Sequence, residues 1–77
     1  MSTITEEEVK AAINKILKDR NNKVLNYAIN YSLGALEMTG YELRVQCRYI
    51  LNNLQYWRNP DAAEVRTILK QFSKRLK

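Results

Sequence analysis

The sequence predicts an all-α fold, a compact four-helix bundle-like domain with short loops that spans residues 1–77 as one unit. Three observations carry this. Apolar residues recur at helical spacing in four successive segments. Capping and turn residues separate those segments. No sustained period-two alternation bounded by turn signals reads as a strand. A chain of 77 residues has room for one domain and not for two.

The first helix is expected at about 6–19. Thr5 and Glu8 have capping-box spacing, and Ile4 with Val9 can form the hydrophobic staple. Val9, Ala12, Ile13, Ile16 and Leu17 then share one face. Lys15, Lys18 and Arg20 complement the dipole at its end, and Asn21-Asn22 reads as a turn. The second helix is expected at about 23–38 and is apolar over most of its circumference. Leu25, Ala28, Ile29, Ser32 and Leu36 form one stripe; Val24, Tyr27, Tyr31, Ala35 and Met38 form another beside it. A helix apolar this far round is central and packed on several sides. Gly34 within it marks either a close helix approach or a kink.

Thr39 and Glu42 repeat the capping-box spacing, with Met38 and Leu43 as the staple pair, so a third helix is expected at about 40–57. Leu43, Cys47, Ile50, Leu51, Leu54 and Trp57 are its apolar face. Asn59 caps a fourth helix at about 60–75, with Pro60 at the first position, where no N–H is needed. Ala62, Val65, Ile68, Leu69, Phe72 and Leu76 are its apolar face. Connections of two or three residues favour antiparallel neighbours and an up-down bundle, with two orthogonal hairpins as the alternative.

Composition excludes several function classes. There is no histidine and one cysteine. A disulfide framework and a Cys/His zinc site are therefore absent, and the commonest general acid–base group is missing. Cys47 falls in an apolar stripe and reads as a small buried hydrophobe. Glu6, Glu7, Glu8, Glu42, Asp61 and Glu64 all fall in first helical turns, where the dipole favours them without any catalytic role. Gly34 and Gly40 belong to no phosphate-binding loop. No apolar run reaches membrane-span length, and the polar start carries no secretory signal. The expectation is a cytoplasmic non-enzyme with no cofactor, no metal, no membrane contact and no small-molecule substrate.

The charge is uneven. Residues 1–40 hold five basic and five acidic side chains, whereas residues 41–77 hold eight basic and three acidic, the source of the whole net charge of +5. Such asymmetry points to a polyanionic partner. On the third helix Tyr41, Arg44, Arg48, Asn52 and Gln55 share a stripe that combines phosphate-binding charge, base-edge hydrogen bonding and an aromatic ring. On the fourth, Arg66, Lys70, Lys74 and Lys77 share another. The expected nucleic-acid site is Tyr41, Arg44, Arg48, Arg66, Lys70 and Lys74, acting by counterion release with little sequence reading. Whether the two stripes meet or point to opposite flanks depends on bundle handedness. No helix-turn-helix spacing fits well. The competing assignment is solvation and dipole complementation.

A second surface points to another class of function. Val45, Tyr49 and Tyr56 fall opposite the apolar face of the third helix. They would suit a protein interface, as a homodimer or as a small regulator or inhibitor docked on a larger protein. In size, charge and single-cysteine make-up the chain is of a type common among phage and mobile-element products, a likeness that assigns no residue a role.

Overall fold

The structure is a computed structural model that describes residues 4–25 and 27–74. Its helices are α1 (Glu6–Lys18), α2 (Ala28–Ala35), α3 (Gly40–Asn52) and α4 (Ala62–Ser73), with a 3₁₀ turn at Lys23–Leu25. Each helix packs against the next, and α4 closes back on α1. Hydrogen bonds at the two ends fix the directions. Glu6 of α1 meets Gly40 at the start of α3, and Asp19 at the end of α1 meets Trp57 and Asn59 at the far end of α3. The Cα radius of gyration is 11.2 Å, close to the ~11.5 Å that a compact chain of this length should have.

The first helix forms as its sequence predicts. Thr5 Oγ1 accepts from the Glu8 N–H at 3.2 Å, and Glu8 Oε1 accepts from the Thr5 N–H at 3.1 Å. This reciprocal cap contributes about 1 kcal/mol. Val9, Ala12, Ile13 and Ile16 are buried; Ile4 and Leu17 are partly buried against them.

The second segment is shorter than expected. In place of one helix over 23–38 there is a 3₁₀ turn and then eight residues of α-helix. Asn22 opens the 3₁₀ turn: its Oδ1 accepts from the Val24 N–H at 3.1 Å and its carbonyl from the Leu25 N–H at 3.1 Å. The turn buries Leu25 fully and leaves Val24 42% exposed. Tyr27 stands at the α2 N-cap without a side-chain acceptor. At the other end, tight bonds from Glu37 N–H to Gly34 O and from Met38 N–H to Ala35 O close the helix. A Cβ built on Gly34 would lie 3.4 Å from Gln46 Nε2, an ordinary contact with a flexible side chain. Close packing therefore does not require the glycine there.

The third helix ends at Asn52 rather than near 57. Asn53 Nδ2 donates to Tyr49 O at 2.9 Å while its N–H donates to Ile50 O, which tightens the last turn and releases the chain. At its start, Thr39 makes no side-chain cap bond, so the second expected capping box does not form. Glu6 substitutes for it from α1, its Oε2 accepting from the Gly40 N–H at 2.7 Å. Gly40 has φ +58°, a left-handed conformation that glycine adopts without steric cost. Trp57 lies beyond the helix yet is fully buried, and its Nε1 donates to Asp19 Oδ2 at 2.7 Å.

Asn59 does not cap the last helix as expected: its Oδ1 accepts from the Asp61 N–H at 2.8 Å within a turn, and the N-cap is Asp61, which makes no side-chain cap bond. Pro60 lies in this turn, and regular helix starts at Ala62. The α1–α2 and α3–α4 connections are consequently longer than two or three residues. Ala62, Val65, Leu69 and Phe72 complete a core shared with Leu43, Cys47, Ile50 and Leu54. Leu76, Lys77 and the expected helix end at 75 lie outside the described residues.

Candidate functional site

The two basic stripes meet. Arg48 and Asn52, one turn apart on α3, face Lys70, Ser73 and Lys74 of α4 across a groove of about 350 Å³ floored by Leu51. The α3–α4 packing sets this spacing. Burial of Cys47 and Ile50 on one helix and of Leu69 and Phe72 on the other turns the intervening Arg48 and Lys70 outward, and Lys74, at the α4 C-cap, is exposed beside them. Ser73 Oγ donates to Lys70 O at 3.0 Å, so the hydroxyl serves its own helix.

Among the described residues, no carboxylate lines this groove. Among the described residues the single ion pair is Lys15–Glu64, at 2.7 Å between α1 and α4. That hydrogen bond to Glu64 raises the Lys15 pKa above its ordinary value. Arg48, Lys70 and Lys74 thus present uncompensated positive charge to solvent.

The other side of the Arg48–Asn52 ridge is aromatic. Tyr41, Val45 and Tyr49 line a second groove of about 360 Å³ that shares Arg48 and Asn52 with the first. Tyr41 is 65% exposed and Tyr49 is 49% exposed. Tyr49 is held by stacking on Tyr31 of α2, with ring centroids 5.7 Å apart and planes 27° from parallel. Gln46 adds a second α2–α3 tie, its Nε2 donating to Tyr31 O at 2.9 Å. The basic groove and the aromatic groove therefore lie on either side of one ridge of α3.

Three of the expected site residues are elsewhere. Arg44 is half-buried, with its guanidinium carbon 5.2 Å from the centroid of the Phe72 ring. It packs by cation–π attraction and does not line the groove. Arg66 is turned inward, its Nη2 donating to Leu54 O at 2.7 Å and also to Trp57 O. These carbonyls belong to the chain that leaves α3, so Arg66 braces the α3–α4 connection. Tyr56, 71% exposed, follows the end of α3 and lies beside Val24, Asn53 and Gln55, away from Val45 and Tyr49. Helical periodicity carried past Asn52 had placed all three on one face.

Two features escaped the sequence reading. Leu51 and Ser73 complete the groove, and only the pairing of α3 with α4 brings them together. Asp19 is the second. Its Oδ2 receives the Trp57 indole N–H, the Asn22 amide at 3.1 Å and the Asn59 amide at 3.5 Å. The Trp57 bond, then that from Asn22, holds its carboxyl below the ordinary carboxylate range against the opposing effect of burial. This cluster ties the end of α1 to both sides of the α3–α4 connection.

Cys47 is fully buried, and burial pushes its thiol up to about 12. It offers no thiolate for chemistry near neutral pH. Among the described residues, no three His, Cys, Asp or Glu side chains cluster as a metal site requires, and no helix is long and apolar enough to cross a membrane. Comparison of the chain with protein-family models, curated proteins and solved structures finds no match.

Proposed function

We propose that this chain is a non-catalytic binding module that holds nucleic-acid phosphates in the α3–α4 groove. The observation that carries the reading is the convergence of Arg48, Lys70 and Lys74 on one groove without a carboxylate among them. Arg48 supplies a planar fork for phosphate oxygens, and the lysines act as mobile point charges. Binding proceeds by neutralising phosphates and releasing their counterions. A cytoplasmic setting fits the single free thiol.

Three phosphate contacts give a definite salt response. Affinity should fall about 20- to 40-fold between roughly 50 and 200 mM salt, from a slope of about −0.7 to −0.9 per phosphate. Fluorescence anisotropy of labelled oligonucleotides measures this. The Arg48→Glu/Lys70→Glu variant should lose binding while keeping its helical circular dichroism. Retained binding in that variant, or no binding by the unaltered protein at low salt, would refute the reading.

A second reading rests on a separate observation, the exposed rings of Tyr41, Tyr49 and Tyr56. Under it the chain is a homodimer or a small regulator of a larger protein, docking through Val45 and Tyr49. Analytical ultracentrifugation of the protein and of Tyr49→Lys tests the homodimer. Self-association that survives the substitution removes this surface from consideration.

A further inference from the structure

We infer that the ligand of this surface is single-stranded nucleic acid, its backbone in the Arg48–Lys70–Lys74 groove and its bases turned over the ridge onto Tyr41. This rests on the phosphate-binding reading and adds the strand type to it. Two adjacent grooves of nearly equal size, about 350 and 360 Å³, share Arg48 and Asn52 as a common wall. One side is cationic and has no carboxylate among the described residues; the other carries Tyr41 and Tyr49. A strand following this ridge has phosphates to one side and bases to the other. Base-paired nucleic acid keeps its ring faces stacked inside the helix and would leave the tyrosines unused. An unpaired strand can stack a base on an exposed ring.

Tyr41 suits this role because its ring is 65% exposed in the first turn of α3. Tyr49 is already stacked on Tyr31 by one face, which fixes its ring and leaves it 49% exposed. Asn52, on the wall between the grooves, carries an amide donor and acceptor at the level where a base edge would lie.

Charge alone favours the opposite outcome, which gives the test its force. A duplex has the denser phosphate array, so a purely electrostatic groove binds duplex at least as well as single strand. The experiment is anisotropy with labelled oligo(dT) and oligo(U) of about 12 nucleotides and a duplex of equal length, over a salt series from about 50 to 200 mM. We expect either single strand to bind about tenfold or more tightly than duplex. The difference between oligo(dT) and oligo(U) then measures the preference for sugar and thymine methyl together. Tyr41→Ala should lower single-strand affinity about tenfold, from the loss of one base stack, with the salt slope unchanged. Tyr41→Phe, which keeps the ring, should restore it. Duplex binding equal to or tighter than single-strand binding would overturn this inference and leave phosphate binding standing, as would an unaltered single-strand affinity in Tyr41→Ala. Failure of all three oligonucleotides to bind would overturn both.

Discussion

Arg66 separates a structural role from a binding role at one position. On the sequence it belongs to the same basic stripe as Lys70 and Lys74; in the fold its guanidinium donates to the carbonyls of Leu54 and Trp57. Arg66→Met removes the charged donor and keeps a stem of similar length to pack. Both acceptors belong to fully buried residues. Each hydrogen bond from a charged donor contributes about 1.5–3 kcal/mol when its partner cannot be resolvated. Arg66 itself is only half-buried, so water can reach part of the vacated site, and a total loss of about 2 kcal/mol is the appropriate figure. In a domain of this size that lowers Tm by about 8–16 °C. Arg66→Lys, with one compact ammonium for two acceptors, should fall about midway. Thermal melts followed by circular dichroism give the Tm, and oligonucleotide anisotropy below the melt gives the binding. A Tm within about 2 °C of the parent together with lost oligonucleotide binding would refute the brace and return Arg66 to the binding surface.

Three further outcomes follow from other contacts. Asp19 has a folded-state pKa below its ordinary value of 3.8, so its stabilising effect is complete above that value and is lost as pH falls through the folded one. Tm of the parent should therefore drop more steeply than that of Asp19→Asn below about pH 4; parallel curves would contradict the assignment. Cys47, its thiol pushed up to about 12, should react with a thiol-specific disulfide reagent only as denaturant unfolds the chain, and immediate stoichiometric labelling of the native protein would show the burial to be wrong. Gly34→Ala should stabilise by about 0.5 kcal/mol, a gain in helix propensity at a position near the helix end; a lower urea midpoint would mean that Gln46 cannot yield the space.

The apolar faces of α1, α3 and α4 were legible because periodicity and burial coincide there: Val9, Ile13 and Ile16, then Leu43, Cys47 and Ile50, then Val65, Leu69 and Phe72 are all buried. Arg48, Lys70 and Lys74 were legible for the same reason, as residues beside those faces must point out. What failed was extrapolation of one helical phase. Asn53 draws the backbone into local hydrogen bonds, so the phase is lost at 53 and Tyr56 leaves its expected face. The segment expected as one helix from 23 divides into a 3₁₀ turn and α2, and Val24 and Tyr27 are exposed as a result. The roles of Arg44 and Arg66 were hidden for a different reason. A guanidinium seeks whatever acceptor or ring stands within reach, here Phe72 and two loop carbonyls, and those become neighbours only after the chain has folded back.

The bonds that tie α1 to the rest of the bundle have a bearing on how the chain is made. Glu6 waits for Gly40, Asp19 for Trp57 and Lys15 for Glu64, sequence separations of 34, 38 and 49 residues. A ribosome adding roughly 5–20 residues each second delivers Trp57 about 2–8 s after Asp19. The contacts that close α1 onto the bundle therefore wait on residues 40–64, and the part of the chain made first is the last to be fully tied in.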